Sequence, residues 1–199
     1  MKPEAPEAVI EIARRLRAHG FAAWAVGGAV RDALAGEPGG DWDIATNARP
    51  AQVRRLFRRT VPIGIEHGTL GVLGPDDTMY EVTTFRRDVS TDGRHAVIEF
   101  ADTLDDDLAR RDFTCNAVAW DPLSGEVQDP FGGVADLAAR TLRTVGDPAA
   151  RFAEDWLRVL RALRFAGHFG MAIEASTWAA LRAAVPHLHK LSAERVHEE

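Results

Sequence analysis

Gly27, Gly28, Arg31 and Asp32 stand just ahead of two aspartates, Asp41 and Asp43, separated by one residue. Adjacent glycines let a backbone turn sharply and approach a ligand closely, and arginine supplies a planar, phosphate-binding fork. If residues 41–45 form a strand, the two carboxylates project from the same face. Oxygen ligands on one face suit Mg²⁺, which takes one or two carboxylates and completes its shell with water and substrate phosphates. A Gly-Gly pair alone is a turn, and Asp-x-Asp alone is a solvated loop. Their order and closeness propose metal-dependent chemistry on a nucleoside triphosphate.

The surrounding elements must hold these groups together. Residues 6–19 carry Val9, Ile12, Ala13 and Leu16 at helical spacing and end at Gly20, which predicts an amphipathic helix. The apolar run 21–26 reads as a buried strand leading into the glycine turn, followed by a short helix from about Arg31 to Leu34. Glu37-Pro38-Gly39-Gly40 is a loop that delivers the chain to an Asp41 strand. Pro50 to Arg58 reads as a helix with Thr46 or Asn47 as cap; its arginines 54, 55, 58 and 59 read as a solvated face rather than an RNA contact. Residues 61–65, 69–73 and 79–85 are strand-like, with His67 between the first two as a strand-end residue and Gly74-Pro75-Asp76-Asp77 as a turn. Glu81, on the last of these strands, could join Asp41 and Asp43, because a third carboxylate on a neighbouring strand completes a two-metal site.

Residues 86–100, with Asp92, Gly93, Arg94 and His95, are polar and poorly periodic, which predicts a mobile loop. Leu104–Ala109 reads as a helix start whose aspartates 105–107 serve as helix-terminal charge. In Arg110-Arg111-Asp112-Phe113-Thr114-Cys115-Asn116-Ala117, an arginine can bind triphosphate, and an aspartate with an arginine can hold ribose hydroxyls. Cys115 has no nearby histidine and reads as a packing residue. Residues 129–137 form a turn and a short helical segment with a structural role.

Pro148 to Phe169 is the longest helical pattern. At about 100° per residue, Asp155, Arg158 and Arg161 fall within an arc of roughly 120°, with Glu154 projecting between the arginines. Asp155 and Arg158 can then present an acceptor beside a donor. Cytosine and adenine each offer an amino donor beside a ring-nitrogen acceptor, whereas uracil and guanine have the opposite polarity on that edge. Arg161 and Arg164, further along, could reach phosphates. Taken alone, the same residues would form surface ion pairs. Ala175–Val185 predicts another helix, and Ser192 caps a last one.

The 199 residues allow one or two domains, and 46% hydrophobic content is ample for a core. No uninterrupted apolar stretch approaches a membrane span, and the start, Met1-Lys2-Pro3-Glu4-Ala5-Pro6, lacks the apolar core of a signal peptide. The single cysteine excludes an intrachain disulfide and a cysteine-based zinc cluster. The expected compartment is the cytoplasm. A net charge of −6 argues against a chain that coats nucleic acid unaided, yet only Lys2 and Lys190 are lysines among the 24 basic residues, so guanidiniums for phosphate and base recognition are plentiful.

Gly27-Gly28-Ala29-Val30-Arg31-Asp32 with Asp41-Trp42-Asp43-Ile44-Ala45-Thr46 resembles the signature of class II tRNA nucleotidyltransferases, the CCA-adding enzymes, and of the related bacterial poly(A) polymerases. Arg110–Ala117 resembles the ribose-recognition motif of that family, and Glu154-Asp155-xx-Arg158-xx-Arg161-xx-Arg164-Phe165 resembles its amino-acid template for ATP and CTP. Ser192-Ala193-Glu194-Arg195 resembles the final motif that supports the template. The resemblance spans residues 21–199, whereas relatives continue into helical regions that hold tRNA.

It implies an α/β (α+β) fold: a nucleotidyltransferase-type mixed-sheet head with flanking helices over residues 1–145, then a helical neck over 146–199. The implied reaction transfers C and A from CTP and ATP to the 3′ end of tRNA and releases pyrophosphate. Asp41, Asp43 and Glu81 would be catalytic, with Asp41 and Asp43 holding two Mg²⁺ ions. Gly27, Gly28, Arg31, Asp32, Arg111, Asp112 and Asn116 would bind nucleotide. Glu154, Asp155, Arg158, Arg161 and Arg164 would bind it from the neck, with Asp155 and Arg158 selecting the base. Family members carry a flexible loop over the 86–100 region that changes specificity from C to A, and CC-adding members lack much of it. A-only or poly(A) addition, and a nucleotide-binding module that needs a further RNA-binding region for turnover, are the alternatives.

Overall fold

The computed structural model describes residues 3–37, 39–75, 77–91 and 96–199. Met1, Lys2, Pro38 of the expected loop, Asp76 of the expected turn and Asp92–His95 of the expected mobile segment lie outside the described residues.

Helix α1 (Glu7–Ala18) forms because Val9, Ile12, Ala13 and Leu16 recur on one face, and all four are buried. Strand β1 is shorter than the apolar run suggests, Trp24–Val26. Residues 21–23 stay outside it because side chains further along occupy their backbone: Ala22 N donates to Asn47 Oδ1, and Thr46 Oγ1 donates to Ala22 O. Gly27, at φ +80°, breaks the chain, and α2 (Gly28–Ala35) begins at once, three residues before the predicted start. Strand β2 runs Asp43–Thr46, so Asp41 precedes it and strand alternation does not pair it with Asp43. Helix α3 (Pro50–Leu56) is capped at Arg49, whose N–H donates to Gln52 Oε1, rather than at Thr46 or Asn47.

Strands β3 (Thr60–Gly64), β4 (Thr69–Leu73) and β5 (Met79–Thr84) follow. The described residues of 86–100 are strands rather than the expected loop: β6 (Arg86–Thr91) and β7 (Ala96–Phe100) pair antiparallel from Arg86↔Phe100 to Thr91↔Ala96. Charged residues hide the extended pattern, but Val97, Ile98 and Phe100 are strand formers and cross-strand pairing sets the rest.

The chain continues through α4 (Leu104–Ala109), β8 (Ala119–Trp120), β9 (Val127–Gln128), α5 (Gly133–Ala138) and β10 (Thr141–Leu142). The single helix expected over 148–169 is two, α6 (Pro148–Glu154) and α7 (Leu157–Phe169). Asp155 is extended at φ −155° and ψ 110°, and its carboxylate accepts from Leu157 N, so it opens α7 rather than continuing α6. Then come β11 (Ala172–Ile173), α8 (Ala175–Ala184) and α9 (Ala193–Glu198).

The main sheet is mixed, in the order β3-β4-β5-β2-β1-β8-β9, with only β2 and β5 parallel. Ile44, Leu70, Val72 and Val82 on one face pack with α1 and α3. Asp43, Ala45, Glu81 and Thr83, at alternating positions on β2 and β5, face a cleft on the other. A second apolar cluster joins Phe113 and Cys115 to Phe152, Val159, Phe165 and Leu181 of α6–α8. Phe113 and Phe152 are fully buried and contribute about 2–3 kcal/mol each, several times the worth of an exposed ion pair. This apolar seam fixes the helices of the C-terminal part against the segment that follows α4.

Cys115 lies within the seam, 1% exposed, and burial, with Asp112 nearby, pushes its thiol up to about 12. Native protein at pH 8 is therefore expected to resist iodoacetamide, with alkylation only on unfolding. Rapid native labelling, followed by mass spectrometry, would contradict this packing.

Candidate active site

The glycine turn, β2, β5, the Arg110–Asn116 segment and α7 converge on one cleft of about 640 Å³. Val26 of β1 pairs with Asp43, which sets the turn directly beside the aspartate. A Cβ at Gly27 would lie 3.1 Å from Asp43 Oδ2 and 3.9 Å from Arg111 Nη1, and φ +80° disfavours any side chain there. Only glycine leaves this cradle open.

Parallel pairing of Ile44 with Val82 brings Asp43 and Glu81 to the same end of the sheet. Burial raises the Asp43 pKa to about 6; Glu81 and, more weakly, Asp41 push in the same direction, against Arg111. Asp41 itself is exposed and outside the cleft wall. Among the described residues no three His, Cys, Asp or Glu side chains converge at metal-ligating spacing. The donor chemistry still fits Mg²⁺, because that ion needs only one or two carboxylates beside water and phosphate oxygens. A partly buried carboxylate beside two others is also short of positive charge.

Asp112 is buried, and burial alone would raise its pKa; Arg161, Asn116 and the Phe113 N–H outweigh this and hold it below the usual range. Arg161 donates to Asp112 Oδ2 from Nε at 2.9 Å, and Asn116 Nδ2 donates to Oδ1 at 2.9 Å. Arg31 is 8% exposed. Its Nε donates to Asp32 and its Nη1 to Asn116 Oδ1, while the guanidinium lies over Phe165 and Phe169 at 5.1 and 4.4 Å. It thus ties α2 to α7 as well as lining the cleft. Asp32 is spent on Arg31 and does not line the cleft.

On the α7 side, Asp155 and Arg158 both line the cleft. The break before α7 replaces the continuous-helix arc expected for Asp155, Arg158 and Arg161; a single helical turn, closed by Arg158 N donating to Asp155 O, keeps the first two together. Arg195 grips both Asp155 oxygens, at 3.1 and 2.8 Å. Arg158 Nη1 donates to Glu154 at 2.6 Å and Nη2 to Arg110 O at 3.2 Å. Glu154 stands behind the arginine, outside the cleft wall. Arg161 and Arg164 line the cleft, and both pair with Glu199.

Arg86 and Arg110 are cleft residues that the sequence does not single out, and Asp107, expected as helix-terminal charge, lines the cleft and pairs with Arg110 and Arg111. The signal was available in the i,i+3 and i,i+4 spacing of Asp107 to the two arginines. Among the described lining residues eight arginines face five carboxylates. In a chain of net charge −6, this concentrates positive potential where a polyanion would bind.

Residues 23–143 match the family model described as the poly A polymerase head domain. The chain belongs to that family. Residues 170–199 match a second model, a probable RNA and SrmB-binding site of polymerase A. The CCA-adding enzyme of Enterococcus faecalis is 48% identical over 187 residues, covering 93% of this chain and 46% of that protein. Among solved structures, the Bacillus stearothermophilus CCA-adding enzyme in complex with CTP superposes with a TM-score of 0.89 at 43% identity, covering 96% of this chain and 47% of the other. A tRNA nucleotidyltransferase complexed with a primer tRNA and an incoming ATP analog gives 0.77 at 32% identity, covering 92% and 53%. The mixed α/β fold expected from the sequence is the fold these relatives share. The chain spans about half the length of the curated relatives it matches. Among the described residues no helix is long and apolar enough to cross a membrane.

Proposed function

We propose that this chain is the catalytic head (residues 1–145) and base-reading neck (146–199) of an RNA nucleotidyltransferase that adds C and A from CTP and ATP to the 3′ end of tRNA, without a nucleic-acid template, and releases pyrophosphate. The carrying observation is that Gly27, Gly28 and Arg111 line the same cleft as Asp155 and Arg158, which supports reading one part of it as a phosphate end and the other as a base end.

At the phosphate end the open glycine cradle lets backbone N–H groups approach the triphosphate, with Arg111 across from them. Asp112, with Asn116 and Arg161 fixing its carboxylate, is suited to accept from a ribose hydroxyl. At the base end Asp155 accepts from the exocyclic amine of cytosine or adenine, and Arg158 donates to the adjacent ring nitrogen. Arg195 and Glu154 hold the two groups in place. Arg161 and Arg164 add positive charge along the nucleotide.

Asp41 and Asp43 would hold two Mg²⁺ ions with Glu81 beside them, and the bound ions would make the terminal 3′ hydroxyl a better nucleophile and neutralise the triphosphate. Asp43 and Glu81 keep this end of the cleft acidic and directed at the point where the glycine turn exposes the phosphates. The compartment we propose for this reaction on CTP, ATP and tRNA is the cytoplasm.

A-only or poly(A) addition is the second reading, favoured by the head-domain family match. A third, a nucleotide-binding half that needs more chain to engage RNA, is favoured by the half-length coverage. Incubation with Mg²⁺, labelled CTP or ATP, and tRNA ending before C, before the second C or before A separates them. Stepwise addition of C, C and A is the expected result. Addition of A without any C supports the second reading, and nucleotide binding without product supports the third.

A further inference from the structure

We infer that Asp107 is a positioning residue that aligns Arg110 and Arg111 toward the triphosphate end of the cleft, an inference that rests on the nucleotide reading above. The Asp107 side chain is 2% exposed. Its Oδ1 accepts from Arg110 Nε at 3.1 Å and from the backbone N–H of Arg86, at the foot of β6, at 3.4 Å. Its Oδ2 accepts from Arg111 Nη2 at 3.1 Å. One carboxylate thus fastens three donors from two segments that line the cleft.

Arg111 shows what this hold achieves. Nη1 donates to Asn116 O at 3.2 Å, and Nε is buried with no hydrogen-bond partner among the described residues. A buried guanidinium N–H without an acceptor is costly, so the bonds that Asp107 and Asn116 O make to the rest of this group matter for holding it in place. The group sits against the Gly27 cradle, 3.9 Å from where a Cβ would stand. An arginine has many rotamers, and holding one of its two Nη groups removes that freedom before a ligand arrives. The effect extends to the base end, because the Arg110 carbonyl accepts from Arg158 Nη2.

Burial disfavours charge on Asp107, but Arg110 and Arg111 more than offset it and keep the carboxyl below the usual range. Asp107 therefore stays ionised, and a fixed negative charge beside a phosphate site has two possible consequences of opposite sign. If it only neutralises the arginines, removing it makes the cleft more positive and strengthens triphosphate binding. If it positions them, removing it weakens triphosphate binding despite the added positive charge.

Calorimetric titration of CTP and CMP in Mg²⁺ buffer, against the full chain and its Asp107→Asn and Arg111→Lys variants, distinguishes these. The wild type should prefer CTP over CMP. Asp107→Asn should cut that preference by about tenfold while CMP affinity stays within about threefold. Arg111→Lys, which retains the charge but loses the held fork, should do the same, and it decides the matter if the asparagine variant fails to fold by circular dichroism. Tighter CTP binding by Asp107→Asn, equal losses for CTP and CMP, or an unchanged preference in Arg111→Lys would each overturn the inference. A wild type with no preference for CTP would overturn the nucleotide reading itself.

Discussion

Asp43→Asn is expected to lower nucleotide incorporation by about a thousandfold or more while the fold persists. The rate loss follows from removing a cleft carboxylate that sits against the glycine cradle, at the centre of a charge-stabilising site worth several kcal/mol. The stability expectation follows from the sign of its titration. Its pKa is raised to about 6 from 3.8, first by burial and then by Glu81. At pH 7, above both values, holding Asp43 ionised costs the folded state stability. A neutral amide of the same shape removes that cost, so the thermal midpoint without Mg²⁺ should hold or rise. Added Mg²⁺ should raise the midpoint of the wild type and leave the variant unmoved. A folded Asp43→Asn with wild-type incorporation would refute the assignment.

Asp155→Ala is expected to erode selectivity for CTP and ATP over UTP and GTP by about 10–100-fold. Asp155 is the acceptor at the base end, and Arg195 fixes both its oxygens. Without it, the amino group of cytosine or adenine loses its partner, while the carbonyl of uracil or guanine no longer faces a carboxylate. The same change leaves Arg195 without this carboxylate and removes the bond to Leu157 N that opens α7, at a cost of about 1 kcal/mol. Selectivity is thus the informative readout, measured as the ratio of kcat/KM values for the four nucleotides. An unchanged ratio in a folded variant would contradict the base-reading role.

Groups carried by contiguous residues were legible in the sequence. Gly27 with Gly28, and Arg111 with Asp112, stand where their motifs suggest because one turn or one short segment carries each. Glu81 was legible through strand pattern alone, and the β2–β5 pairing realises it. The strand placement of Asp41 was not legible, because β2 starts at Asp43, two residues later than the alternation argument needs; Asp41 stays close enough to act electrostatically on Asp43. The helix break at Asp155 was hidden because Trp156 and Leu157 continue the apolar spacing, and the partner that favours the extended Asp155, Arg195, is forty residues away. The β6–β7 hairpin was hidden by its charges. The sequence points to Arg31 as a phosphate ligand alone; its bonds to Asp32 and Asn116 and its stacking on Phe165 and Phe169 depend on tertiary packing that no local pattern reports.

The most direct measurement is a crystal structure of the chain with CTP and Mg²⁺. The account predicts the triphosphate against Gly27, Gly28 and Arg111, and the cytosine edge between Asp155 and Arg158. CTP bound elsewhere, or lying in the cleft with its base turned away from Asp155 and Arg158, would contradict it.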